Sequence, residues 1–151
     1  MTAFGRYWAE LRAKMVGDPL PPEDVAAGWA LGMFVGCAIP FGLQLIVSIP
    51  LAIMMRVSKI GATVGTLITN PVTIFFIYPA QTWLVYNLLF GNREMGELPT
   101  EWTRQSVMAL SGPVIISFFL GGLALALVLS PLTYFLVRRI VRRHRQRKGR
   151  A

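Results

Sequence analysis

One histidine, one cysteine and seven acids are all that this 151-residue chain offers to most metal, nucleophile and proton chemistry. His144 lies in a run of arginines, where a solvated role is expected. Cys37 has no second cysteine to pair with and sits in apolar sequence, as a small packed residue does. The acids Glu10, Asp18, Glu23, Asp24, Glu94, Glu97 and Glu101 all fall outside the long apolar runs. An intramembrane metal site or proton relay needs ionisable ligands at depth. Metal-dependent hydrolysis, intramembrane proteolysis and carboxylate-driven pumping are therefore not expected, and neither is a cofactor. The chain reads as a non-enzyme.

Charge of either sign is missing from three stretches, Val25–Met55, Ile60–Asn92 and Gln105–Val137. With 54% hydrophobic and 15% charged residues, the apolar content is concentrated rather than dispersed. A soluble core would break such runs with polar faces every few residues. The reading is an all-α integral membrane protein of one domain. The first run starts too late and is too long for a signal peptide.

The 31 residues of Val25–Met55 are too many for one upright crossing, which takes about 20. Split at Pro40-Phe41-Gly42, each half reaches only about 20 Å at a helical rise of about 1.5 Å. A proline-broken, re-entrant helix fits both limits, and two thin crossings remain an alternative. Ile60–Asn92 repeats the plan, with its break at Asn70-Pro71. Gly28, Gly32 and Gly36 recur every fourth residue before the first break, and Gly61 and Gly65 before the second. Such stripes let helix backbones approach in lipid, so these five glycines are assigned to helix packing. The third run, Gln105–Val137, centred on Pro113–Val137, is long enough for one ordinary crossing by a C-terminal transmembrane helix.

Residues 1–16 place Phe4, Tyr7, Trp8, Leu11 and Met15 at helical spacing, with Arg6, Arg12 and Lys14 elsewhere on the wheel. That is an amphipathic helix, lying at the interface or packed on the rest of the protein. Residues 17–137 form the membrane domain. The remaining 138–151 are a basic tail, where Arg138, Arg139, Arg142, Arg143, Arg145, Arg147, Lys148 and Arg150 supply most of the net charge of +8. A basic tail after an apolar helix serves first as a topology signal and as a contact for anionic lipid. Nucleic acid is not an expected partner, because no stacking aromatics or base-reading element accompany the charge. With Gly91–Arg104 slightly acidic, the positive-inside rule puts the protein in a bacterial inner membrane as a multi-pass chain, both termini cytoplasmic.

Interrupted apolar segments that recur are the best sequence pointer to a polar site near mid-membrane. Half-helices starting there present positive dipole ends. The candidate ligand-binding residues are Pro40, Gly42, Gln44, Asn70, Pro71 and Thr73 at the breaks, with Arg56 and Lys59 attracting an anion at the cytoplasmic mouth. The same polar residues could instead only cap and brace the broken helices. So few spans enclose little, so a homo-oligomer is expected.

Ala27-Gly28-Trp29-Ala30-Leu31-Gly32, Ile39-Pro40-Phe41-Gly42-Leu43-Gln44, Arg56-Val57-Ser58-Lys59 and Asn70-Pro71-Val72-Thr73 together resemble the signature of a bacterial membrane family, domain of unknown function 2062. The resemblance covers roughly Gly17–Gly91. Ser58 stands where many members carry Asn. The resemblance implies a small inner-membrane protein, and members joined to glycosyltransferase-like domains fit envelope or lipid-linked substrates. Two functions follow: binding or transport of an anionic lipid or solute at the broken helices, or a membrane scaffold with no transport activity.

Overall fold

The computed structural model describes residues 6, 9–10, 13–14, 16–67, 71–91 and 112–148. The expected interfacial helix at 1–16 lies largely outside the described residues, as do Asn70 and the acidic segment before the last helix. The named elements are five helices: α1 (Pro22–Ala38), α2 (Gln44–Met54), α3 (Lys59–Thr66), α4 (Pro71–Phe90) and α5 (Gly112–Lys148). No strand occurs among the described residues.

Local chemistry sets the ends of these helices. Pro22 opens α1, where its missing amide hydrogen costs nothing, and Glu23 and Asp24 occupy the positive first turn. Pro40 closes it. A residue before proline is steered out of the helical region, and Ile39 is extended at φ −114°, ψ 136°. The chain then turns through Gly42, at φ 96°, into α2.

The end of α2 is a Schellman turn. Arg56 N–H donates to Ile53 O at 3.2 Å and Val57 N–H to Ala52 O at 3.0 Å. The left-handed position, usually glycine, is taken by Arg56 at φ 56°. Ala52 and Val57 share an apolar cluster with Ala62, the contact that accompanies this turn. Ser58 then caps α3, its hydroxyl accepting from Gly61 N–H at 2.8 Å.

α1 and α2 form a hairpin whose two ends come back together, since Ser58 N–H donates to Asp24 O at 3.1 Å. From there α3 runs beside α1 with glycines on both sides of the contact. A methyl group on Gly65 would lie 2.6 Å from Trp29 O, and one on Gly61 2.6 Å from the Trp29 ring. On Gly28 it would strike the Ser58 backbone, and on Gly32 the Ala62 backbone. These four positions admit no side chain at this separation.

α5 packs antiparallel along the other side of α1. Arg142 lies against Glu23, Ser130 Oγ donates to Ala30 O at 2.9 Å, and Gly122 faces the Cys37 carbonyl. Val25, Ala26, Trp29, Val64, Val137 and Val141 fill the core at one end, Met33, Cys37 and Ala126 further along. α4 crosses α5 where Tyr78 meets Phe118 edge-on at 5.0 Å and Gly121 abuts Gln81. α5 is long and apolar enough to cross a membrane by length and composition. It runs unbroken from its apolar part through the bases at 138–148.

Candidate functional site

At the first break the backbone creates a deficit. The carbonyl of Gly36 would accept a helical hydrogen bond from residue 40, and proline has no hydrogen to give. Gln44 supplies it. Its Nε2 donates to Gly36 O at 2.9 Å, to Ile39 O at 3.0 Å, and reaches Tyr78 Oη at 3.2 Å. Tyr78 in turn donates to Ile39 O at 3.2 Å, so α4 helps to close the same break. Gln44 is 3% exposed, so its amide is consumed inside the protein.

The other sequence candidates do not gather around it. Pro40 is half-buried and Gly42 is exposed, at the tip of the hairpin. Arg56 and Lys59 are exposed at the opposite end of α2, about 16 Å away by helical rise. Pro71 opens α4, Thr73 is half-buried on its first turn, and Asn70 lies outside the described residues. Gly28, Gly32, Gly61 and Gly65 meet at the α1–α3 contact, while Gly36 contributes the carbonyl that Gln44 caps. The charged pair at the hairpin base is therefore separate from the polar brace at its tip.

Sequence reasoning missed a second constellation, at the base of the hairpin. Asp18 is 5% exposed and fully used: its Oδ1 accepts from Leu20 N–H at 3.1 Å and its Oδ2 from the Ser58 hydroxyl. Arg145 reaches over from α5 and donates to Asp18 O at 2.7 Å and Leu20 O at 2.6 Å. Glu23 Oε1 takes Arg138 Nε at 3.4 Å and also Arg142 Nη2. These guanidinium groups, Arg142 foremost, hold the Glu23 carboxyl below its ordinary value of 4.5. Arg138 also stands 6.0 Å from the centre of the Tyr134 ring. The spacing 138, 142, 145 places these bases on one side of α5, a signal present in the sequence once an acid is known to face it.

Beside them runs an open groove of about 350 Å³ lined by Phe135, Arg138, Arg139, Arg142 and Arg143. Arg139 and Arg143, one turn apart, are exposed and pair with no acid among the described residues. Two free guanidiniums next to an aromatic ring can take a phosphate or carboxylate in bidentate fashion. No group of three or more His, Cys, Asp and Glu suited to a metal occurs among the described residues.

No curated protein and no solved structure matches the chain. A family model does, and it extends past Gly17–Gly91 at both ends, taking in α5 and its bases. Matched over residues 5–150 by the model described as an uncharacterized protein conserved in bacteria, the chain belongs to the family of domain of unknown function 2062.

Proposed function

We propose that this is a multi-helix inner-membrane protein that binds phosphate-bearing anionic lipid headgroups at the cytoplasmic end of α5. The observation that carries the reading is the groove of Phe135, Arg138, Arg139, Arg142 and Arg143, two of whose four bases pair with no acid among the described residues. A membrane setting is supported by how little of α5 is covered. Only 28% of its apolar window is buried within the protein, whereas the core helix of a soluble protein is mostly buried. Phe75, Phe76, Trp83, Leu84 and Leu88 on α4 are likewise more than half exposed, which lipid accommodates and water does not. The bases then lie at a headgroup boundary, inside by the positive-inside rule.

In this reading α1 and α2 are a re-entrant hairpin and Gln44 is its brace. That use of Gln44 favours the headgroup groove over a mid-membrane anion cradle, because the amide is already spent on Gly36 and Ile39. It also disfavours a scaffold built on the glycine stripes, since Gly28, Gly32, Gly61 and Gly65 are filled by each other's helices. Binding, rather than catalysis, is the activity proposed.

The test is titration of the protein in neutral detergent with phosphatidylglycerol or phosphatidylcholine, read by native mass spectrometry. Phosphatidylglycerol should bind in preference. Replacing Arg139 and Arg143 together by Ala should weaken it about 30-fold, at about 1 kcal/mol for each base near an anionic headgroup. Equal binding of the two lipids, or an unaffected double variant, overturns the reading.

A further inference from the structure

The four groove bases are not equivalent. Arg139 and Arg143 are exposed and pair with no acid among the described residues, whereas Arg138 and Arg142 share one oxygen of Glu23, which comes from the first turn of α1. All three paired side chains remain partly exposed, at 33% for Arg138, 49% for Arg142 and 39% for Glu23. Ion pairs open to solvent to this degree are weak and exchange with other anions. A phosphate seated between Arg139 and Arg143 has Arg142 and Arg138 in the same groove, and it offers them more oxygens than the single one Glu23 uses. The remaining contacts of this end do not depend on Glu23. Arg145 holds backbone carbonyls of Asp18 and Leu20, and Asp18 is satisfied by Ser58 and Leu20.

We infer that Glu23 is a built-in competitor for the headgroup groove: it occupies Arg138 and Arg142 in the free protein, and a bound anionic phosphate takes both from it. The inference rests on the headgroup reading above and adds its regulation. Headgroup binding at α5 then releases the first turn of α1, while Arg145 keeps the two helices together. The groove thus has a resting state with two available bases and a loaded state with four.

Four proteins in neutral detergent separate this from its alternatives: wild type, Glu23→Gln, Arg138→Ala/Arg142→Ala, and the triple variant. Each is titrated with phosphatidylglycerol, with phosphatidylcholine and with inorganic phosphate. Glu23 is partly exposed and its loss opens no cavity, so the variants should retain the fold. Glu23→Gln should tighten phosphatidylglycerol binding about fivefold for each base released. Removing Arg138 and Arg142 should abolish that gain in the triple variant while weakening wild type less than loss of Arg139 and Arg143 does. A gain for inorganic phosphate too supports competition at a bare phosphate site; a gain for phosphatidylglycerol alone supports it at a lipid site. If wild type prefers phosphatidylglycerol but Glu23→Gln binds it no tighter, or more weakly, Glu23 is a structural tie and the inference falls. If wild type shows no preference between the lipids, the headgroup reading itself has failed.

Discussion

Replacing Gln44 by Leu removes a donor that Pro40 has made necessary, and the structure sets the size of the loss. Leu has a similar volume, so little cavity or overpacking is expected. Among the contacts of Gln44, those at 2.9, 3.0 and 3.2 Å to described residues disappear, and they are unequal. Ile39 O keeps the Tyr78 hydroxyl. Among the described residues Gly36 O keeps nothing in place of the amide that proline lacks, in a buried setting where an orphaned carbonyl costs about 1–3 kcal/mol. The hydrogen bond to Tyr78 adds about 1 kcal/mol, and the extra apolar side chain returns about as much. The net expectation is a loss of about 1–3 kcal/mol, measurable as a lower unfolding midpoint in detergent. Cys37, 1% exposed and next to Gly36, is a second reporter whose maleimide labelling should quicken as the hairpin tip loosens. Pro40→Ala restores a backbone hydrogen and frees Ile39 from its pre-proline restriction. In that background Gln44→Leu should cost less, a coupling a double-mutant cycle reads directly. Unchanged stability and labelling in Gln44→Leu would refute the bracing argument.

Two further substitutions test local strain. Arg56→Gly should stabilise the protein by about 0.5–1 kcal/mol, because a left-handed conformation costs an L-residue about 1–2 kcal/mol and glycine gives part of that back as chain entropy. A lower unfolding midpoint would mean that the Arg56 side chain contributes more than its backbone costs. Gln81 is 7% exposed, and neither end of its amide has a partner among the described residues. Gln81→Leu should therefore raise stability by about 1–3 kcal/mol, and a loss in the same denaturation assay would contradict the orphaned amide.

The sequence made parts of this architecture readable and hid others for physical reasons. Pro22 with Glu23 and Asp24 marks the start of α1, and Pro40 its end, because both signals are local. The Schellman turn that separates α2 from α3 carries arginine where glycine is usual, so composition does not announce it. Gln44 was legible as a polar residue at the break, but its duty follows only from counting four residues back from Pro40 to Gly36 and four forward. In the sequence Arg56 and Lys59 read as the mouth of the same site as the break residues, with no distance between them fixed. The length of α2 instead carries them to the other end of the hairpin. The pairing of Glu23 with Arg138 and Arg142 joins residues more than a hundred positions apart. Nothing local in either segment specifies it; it follows from α1 and α5 lying antiparallel.

Taken with the proposed membrane setting, that antiparallel pairing predicts what the hairpin should look like to a reagent in water. Gly122 faces the Cys37 carbonyl, about fifteen residues from Val137 along α5, which is about 22 Å of helix. In the proposed membrane setting, against a hydrocarbon core of about 30 Å, the tip at Pro40-Phe41-Gly42 is expected to stop inside the membrane. About ten further residues of α5, roughly 15 Å, continue beyond it to Gly112. The base of the hairpin is held at the level of Asp24 by Ser58, near the bases of α5. In a chain with Cys37 replaced by Ala, single cysteines at Phe41, Arg56 and Arg147 report these depths. A membrane-impermeant maleimide should label Arg56→Cys and Arg147→Cys only from the cytoplasmic side and Phe41→Cys from neither. Labelling of Phe41→Cys from the outside would mean that α1 and α2 cross the membrane twice as thin spans, and the re-entrant hairpin would be wrong.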